Sequence, residues 1–347
     1  MGNTVTLANK YRPKTFDEIV EQDSIKTILR NQLENNNLKH AYLFCGSAGT
    51  GKTTSARIIA DYMNGGKASP IELDCASHNG VDDIRVIIDE CRTSPLVGKY
   101  KIFILDEAHM LSQQAWNAML KILEEPPVYV IFIFCTTDPQ KILGTILSRV
   151  QRFNFSRIST KGILDRLRFI VNSENESRRN SGLDTITIGD GALEYIARLS
   201  KGGMRDSITT LEKCLDYSLN LTQENVSIAL NGGLTEDFML TFMGHLLNAK
   251  CGDALMLFNK VYFSGIDIAV FIKLFAEYLD DCVKYMLTGS AEITSLSNIT
   301  TNKLDSVRGF LASIAELSDS FVSYFDGKFS IDDTKILVES WIISVCK

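Results

Sequence analysis

One stretch constrains this chain more than any other: Gly46-Ser47-Ala48-Gly49-Thr50-Gly51-Lys52-Thr53, followed by Thr54. A glycine, four free positions and then Gly-Lys-Thr is the P-loop pattern. Its glycines let the backbone wrap tightly enough for successive N–H groups to face phosphate oxygens. The helix that follows turns its positive N-terminus toward the same anion. Lys52 then reaches the β- and γ-phosphates, and the Thr53 hydroxyl is placed to ligate Mg²⁺. The flanks agree: Ala41 to Cys45 is an apolar run suited to a buried strand, and Ser55 to Met63 is rich in helix formers.

Such a loop needs a sheet to carry it, and the next hundred residues supply one. Ile71 to Cys75, Lys101 to Leu105, Val128 to Cys135 and Arg152 to Phe155 read as strands. Helical patterns alternate with them at Val81 to Arg92, Gln113 to Glu125 and Gly144 to Ser148. Apolar strands alternating with helices predict an α/β parallel sheet covered on both faces, with its ligand at the carboxyl ends of the strands. Ahead of the loop, Thr15 to Glu18 has the form of a capping box, and Ile25, Ile28, Leu29 and Leu33 form a helical stripe. After Phe155 the strand signals stop. Gly162 to Arg178, Asp190 to Ser200 and Met204 to Leu219 predict a small all-helical unit ending near Gly232-Gly233. Thr235 to Val345 predicts about five amphipathic helices. Their breaks fall near Lys250–Asp253, Ser264–Ile266, Leu287–Thr301 and Asp326–Ser330. The expected domains are therefore 1–157, 158–232 and 233–347, which suits a chain of 347 residues.

Composition narrows the class. The longest apolar run, Val128 to Cys135, is too short to cross a bilayer. No apolar signal core opens the chain, so secretion is not expected; Met1-Gly2 with Thr6 fits only the loose myristoylation pattern. Eight cysteines include no Cys-x-x-Cys pair, which points away from a zinc ribbon or redox motif and toward a reducing cytosol. Net charge is −6, and all the acidic excess lies in residues 231–347, with 9 basic and 15 acidic side chains. Any nucleic-acid contact must therefore use a local basic face of the earlier segments.

A second signal joins the P-loop. An apolar strand delivers Asp106 to its carboxyl end, where it can hold the Mg²⁺ hydration shell, and Glu107 is placed to orient and deprotonate an attacking water. His109 completes an Asp-Glu-Ala-His string, but a two-lobed helicase motor needs a second α/β lobe that the helical remainder does not supply. Thr136-Thr137 end the Val128–Cys135 strand on the same edge as Glu107. Ser148-Arg149 close a short helix, and Gly202-Gly203-Met204-Arg205-Asp206 open another. Singly, these read as a turn, a dipole-neutralising cation and a hinge. Tyr11-Arg12-Pro13 alone reads as a stiff surface turn.

In combination the segments carry a family pattern. Tyr-Arg-Pro, the P-loop, "ELDCASHNGVDDIR", "KIFILDEAHMLS", "LEEPP", "TTDPQKI", "SRVQRFNF" and "GGMRDSI" in this order resemble the AAA+ clamp-loader ATPases. They lie nearer to the gamma/tau subunits of bacterial DNA polymerase III than to the small subunits of replication factor C. The resemblance is dense from Tyr11 to about Leu230. It implies that Tyr11, Arg12 and Pro13 lie against the adenine, and that Thr137 senses the γ-phosphate. It also implies that Arg205 reaches the nucleotide from a helical lid, and that Arg149 enters the ATP site of a neighbouring subunit. Expected cofactors are ATP and Mg²⁺. Expected partners are other clamp-loader subunits in a ring-like hetero-pentamer, a sliding clamp and primer–template DNA, in a bacterial or phage-infected cytoplasm and with no membrane. Arg85, Arg92 and Lys99 are candidate phosphate contacts, with solvated surface charge as the alternative. Two departures stand out. The four-cysteine zinc module of the family is replaced by a direct run from Met63 through Gly66, so no zinc is expected, and Val150 stands in place of a cysteine after Ser-Arg. The rival readings are a catalytically silent subunit of the same assembly, a branch-migration motor, and a small-molecule kinase.

Overall fold

The computed structural model describes residues 5–189, 191–231, 234–291, 293–296, 298–305, 308–325 and 334–347. Met1-Gly2, Asp190, the Gly232-Gly233 break and the Asp326–Ser330 break lie outside them. The chain divides into two compact units. One comprises the residues up to Arg166 together with Lys201–Thr209; the other comprises Leu167–Ser200 and the chain from Thr210 onward.

In the first unit, helix α1 (Leu7–Lys10) and a 3-10 turn (Phe16–Glu18) precede α2 (Asp23–Glu34). Then follow β1 (Ala41–Cys45), α3 (Lys52–Asn64), β2 (Ile71–Asp74), α4 (Val81–Glu90), β3 (Lys101–Asp106), α5 (Gln113–Glu124), β4 (Val130–Thr136), α6 (Gly144–Leu147) and β5 (Gln151–Asn154). The five strands form one parallel sheet in the order β2-β3-β4-β1-β5. All residues of β1 and β4 are buried, because helices cover both faces. One face packs Trp116, Met119, Ile84 and Ile87 against Phe103, Phe132 and Phe134. The other packs Ile25, Leu29, Ile58 and Ile59 against Tyr42, Phe44 and Ile133.

Local chemistry explains where these elements start and stop. The Gly65 and Gly66 N–H groups donate to Tyr62 and Asp61 carbonyls, and both glycines sit in the left-handed region that ends α3. Ser112 caps α5 by accepting from the Ala115 N–H at 3.2 Å. Strand β4 begins at Val130, not at Val128: the Val130 N–H donates to the Pro127 carbonyl, so Pro127–Val130 is a turn and Val128 is exposed. The Thr15–Glu18 pattern does not start α2. Glu18 accepts from the Lys14 N–H and the Thr15 hydroxyl, closing the 3-10 turn, and α2 begins only after Glu21 and Gln22 in left-handed backbone. Within the α2 stripe, Ile25 and Leu29 are buried while Ile28 faces solvent.

The chain continues through α7 (Thr160–Asn180), β6 (Thr187–Ile188), α8 (Ala192–Leu199), α9 (Met204–Tyr217), β7 (Asn220–Leu221) and α10 (Gln223–Asn231). The division between units falls within α7 and within α9. The expectation of no strand after Phe155 is corrected here: β6 and β7 pair in parallel. Two residues per strand are too few to show alternation, and the ladder rests on the Thr187 and Gly189 N–H groups donating to the Leu219 and Leu221 carbonyls.

Among the described residues six helices follow: α11 (Glu236–Leu247), α12 (Cys251–Phe263), α13 (Ile268–Thr288), α14 (Asn298–Asp305), α15 (Leu311–Phe325) and α16 (Thr334–Val345). The expected count of about five missed α14, whose Asn-Ile-Thr-Thr-Asn sequence has poor helix propensity. Aromatic rings knit this core. Phe275 lies 5.0 Å from Phe242 and 5.1 Å from Phe321, and Phe321 lies 4.7 Å from Trp341, in edge-to-face contacts. Among the described residues, no helix is long and apolar enough to cross a membrane.

Candidate nucleotide site

The strand order builds the site. Strand β4 lies between β1 and β3, so its end separates the P-loop that leaves β1 from the acidic pair that leaves β3. Cys45 is in register with Thr136, and Asp74 with Asp106, which aligns these carboxyl ends along one edge. The Gly46 N–H donates to the Thr136 carbonyl at 3.2 Å, fixing the start of the loop.

Gly46, Gly49 and Gly51 all have positive φ. At Gly46 a Cβ would lie 2.4 Å from the Phe155 carbonyl oxygen, so no larger residue fits. Gly51 precedes α3, which begins at Lys52. The Thr50 hydroxyl donates to the Ser47 carbonyl at 2.9 Å, bracing the loop from within. The Lys52 ammonium is buried and donates to the Gly46 and Ser47 carbonyls, each at 2.8 Å. Burial lowers its pKa, and the nearby Glu107 and Asp106 carboxylates oppose that shift.

Thr53 donates to Asp106 Oδ2 at 2.8 Å, so the two residues expected to hold Mg²⁺ are already in contact. The donor set, a hydroxyl and a carboxylate, is the oxygen chemistry a hard cation takes. The Glu107 N–H donates to the other Asp106 oxygen at 3.0 Å. Glu107 itself has φ 47° and ψ 43°, a left-handed conformation unusual for this residue. Thr137 donates to Glu107 Oε2 at 3.1 Å.

Lys52, Thr53, Asp106 and Glu107 open on a cavity of about 450 Å³, within the range of small-molecule sites, while Gly46, Ser47 and Thr137 are not among the described residues that line it. Its walls include Tyr11, Arg12 and Pro13 on one side and Met204, Arg205 and Asp206 on another, together with Ala48 to Thr54. The Met204 N–H donates to the Gly49 carbonyl at 3.0 Å, which docks the start of α9 on the P-loop and brings Arg205 to the cavity. Arg12 accompanies Lys52 and Arg205 as a cation of the lining, and such convergent positive charge suits a polyphosphate.

Arg149 is not among the described residues that line the cavity. Its guanidinium donates to Glu124 at 2.5 Å and also to the Thr145 carbonyl and Ser148 hydroxyl. Arg85 pairs with Asp82 within α4, Arg92 just beyond its end pairs with Asp89, and Lys99 reaches Asn36 at 3.4 Å. Sequence reasoning missed Arg166, which lines the cavity, is half-buried and donates to the Tyr11 carbonyl at 2.9 Å. It also missed the apolar wall of Ile19, Val20, Ile158 and Ile208. Apart from Ile208, which ends the Gly202–Ile208 segment, none of these belongs to a motif; the fold brings them to the loop.

Fold and site together define a P-loop protein with an AAA+ fold. Solved structures of Thermotoga maritima RuvB share the fold. One, a Holliday junction branch migration motor, aligns with TM-score 0.50 at 19% identity over 74% of this chain and 86% of that one. A point variant of the same RuvB gives 0.51 at 20% identity over the same shares. In sequence the chain is similar to tau and gamma/tau subunits of DNA polymerase III. It is 36% identical to the DNA polymerase III subunit tau of Bacillus subtilis over 79% of this chain and 51% of that one. Identity to subunit tau of Escherichia coli is 33%, over 75% and 42%, and to subunit gamma/tau of Mycoplasma genitalium 35%, over 76% and 46%. Residues 71–159 also match the family described as DNA polymerase III, delta subunit. The chain spans about half the length, or less, of these relatives.

Proposed function

We propose that this chain is an ATP-hydrolysing motor subunit of a clamp loader, opening a ring-shaped sliding clamp and loading it onto primer–template DNA during replication. The observation that carries the reading is the contact between P-loop Thr53 and Asp106 beside the Glu107–Thr137 pair, all on one sheet edge. Lys52 and the loop amides hold the phosphates, and Tyr11, Arg12 and Pro13 face the base. Thr53 and Asp106 would hold Mg²⁺, which draws charge from the phosphate oxygens when bound. Glu107 orients and deprotonates the attacking water, Thr137 contacts the γ-phosphate, and Arg205 ties the nucleotide to the lid.

Arg149 serves a neighbouring subunit's site, so turnover depends on assembly, in a ring-like hetero-pentamer with other clamp-loader subunits. Residues 1–157 act as the ATPase domain, 158–232 as the lid and 233–347 as the collar. The assembly works in a bacterial or phage-infected cytoplasm. We assign no zinc: Cys75 and Cys91 are core thiols that burial pushes up to about 12.

Steady-state ATPase with and without sliding clamp and primed DNA tests the reading. Clamp plus DNA should stimulate turnover. Arg149→Ala should lose turnover while keeping ATP affinity, and normal hydrolysis by that variant in the full assembly would remove the in-trans role. Lys52→Ala should weaken nucleotide binding at least about a hundredfold, given the loss of a buried charge-assisted contact; unchanged affinity would undo the phosphate assignment.

A further inference from the structure

We infer that His109 is a positioning residue for Glu107, a post that keeps the carboxylate aimed when Thr137 turns to the γ-phosphate. This rests on the assignment of Glu107 as the base. Glu107 Oε2 accepts a hydrogen bond from the Thr137 hydroxyl at 3.1 Å, and His109 Nδ1 lies beside it at 3.3 Å. Thr137 cannot donate its one proton to Glu107 and to a phosphate oxygen at once. Once it turns to the phosphate, His109 is the remaining side-chain partner of Glu107 among the described residues.

The post is rigid for reasons visible on every side. His109 sits in the 3-10 turn Ala108–Met110, whose Ala108 is fully buried and whose following Leu111 is buried in the same sheet-face core. The Met110 N–H donates to the Glu107 carbonyl at 2.9 Å, and the Ser112 N–H to the Asn79 carbonyl at 3.1 Å. The ring itself is nearly enclosed, with Nδ1 3.2 Å from the hydroxyl of Thr136, a fully buried residue of β4. That hydroxyl in turn accepts from the Asp138 N–H at 3.0 Å. The chain of contacts thus runs from Asp138 through Thr136 and His109 to Glu107.

The contacts also select a tautomer. An unprotonated Nδ1 would set its lone pair 3.3 Å from a carboxylate oxygen, whereas Nδ1–H donates to the Thr136 hydroxyl and turns its positive end toward Glu107. The left-handed backbone of Glu107 makes such a tether useful. Its conformation is held by surroundings, not by preference, and a carboxylate without a side-chain anchor would rotate away from the water it must orient.

Nitrogen-15 NMR of histidine-labelled full-length protein reads the tautomer directly: His109 should carry its proton on Nδ1, and an Nε2–H form in the free protein overturns the inference. Kinetics read the role. In the assembly where wild type turns over, His109→Ala should lower kcat about tenfold, the scale of one close polar contact to a reacting group. The Kd for a fluorescent ATP analogue should stay unchanged. His109→Asn, which returns an N–H donor near the Nδ1 position, should recover most of the rate; no recovery, with folded protein and normal ATP affinity, removes the assignment. In a Glu107→Gln background, His109→Ala should cost nothing further, and a full additive loss would show that the histidine acts elsewhere. If Glu107→Gln alone leaves turnover intact, the base assignment fails first, a result distinct from normal turnover in His109→Ala.

Discussion

Gly49 shows how much a single backbone position carries. Its φ is +71°, and a Cβ there would lie 3.1 Å from Gly203 Cα and 3.2 Å from the Arg205 N. Two penalties therefore meet in Gly49→Ala, left-handed strain and a clash with backbone that cannot turn aside. The substitution should destabilise by about 1–2 kcal/mol and weaken ATP binding; an unchanged melting temperature would contradict the close approach. Lys52 makes a pH prediction. Its pKa in the folded protein is lowered by burial, so it loses its proton at a lower pH than an ordinary lysine. ATP affinity depends on the protonated form and should decline as pH rises through that lowered value, before the usual lysine range; a plot of log Kd against pH locates the bend. Thr53 meets Asp106 and Thr137 meets Glu107 on the strand edge where their spacing placed them. Arg166 and Ile158 could not be foreseen, because only the path of α7 and the linker before it brings them to the loop.

Elements were legible in proportion to their length and amphipathicity. Strands β1, β3 and β4 are apolar enough to declare themselves, and α5 shows its Trp116–Met119–Leu123 face plainly. Failures share a cause: β6, β7, α1, α10 and α14 span two to nine residues, too few for a local period to declare them. Among the C-terminal helices, α16 illustrates what tertiary partners are worth. Trp341 is fully buried against Phe275, Phe321 and Phe325, and its indole N–H donates to the Ser320 hydroxyl at 3.3 Å. Trp341→Ala should cost about 3–5 kcal/mol in denaturant unfolding. A loss below about 1 kcal/mol would mean that the site collapses around the smaller residue.

For the whole molecule, the cysteines offer a map of burial that chemistry can read. Cys45, Cys75, Cys91, Cys135, Cys214 and Cys282 are buried free thiols, while Cys251 and Cys346 are partly exposed. Burial pushes Cys282 up to about 12 and Cys214 to about 11, so little thiolate forms near neutral pH. A maleimide should label Cys251 and Cys346 first and the other six only with denaturant, as peptide mass mapping would show. Early labelling of Cys75 or Cys91 would instead mean that the α4 side of the sheet opens readily. A different kind of consequence follows from Glu107 in its left-handed conformation. Asparagine or glycine would adopt φ 47° and ψ 43° with less strain, so either should raise the melting temperature while ending hydrolysis. Variants selected for heat resistance alone should drift away from glutamate at this position, and retention of glutamate under that selection would register a demand for turnover.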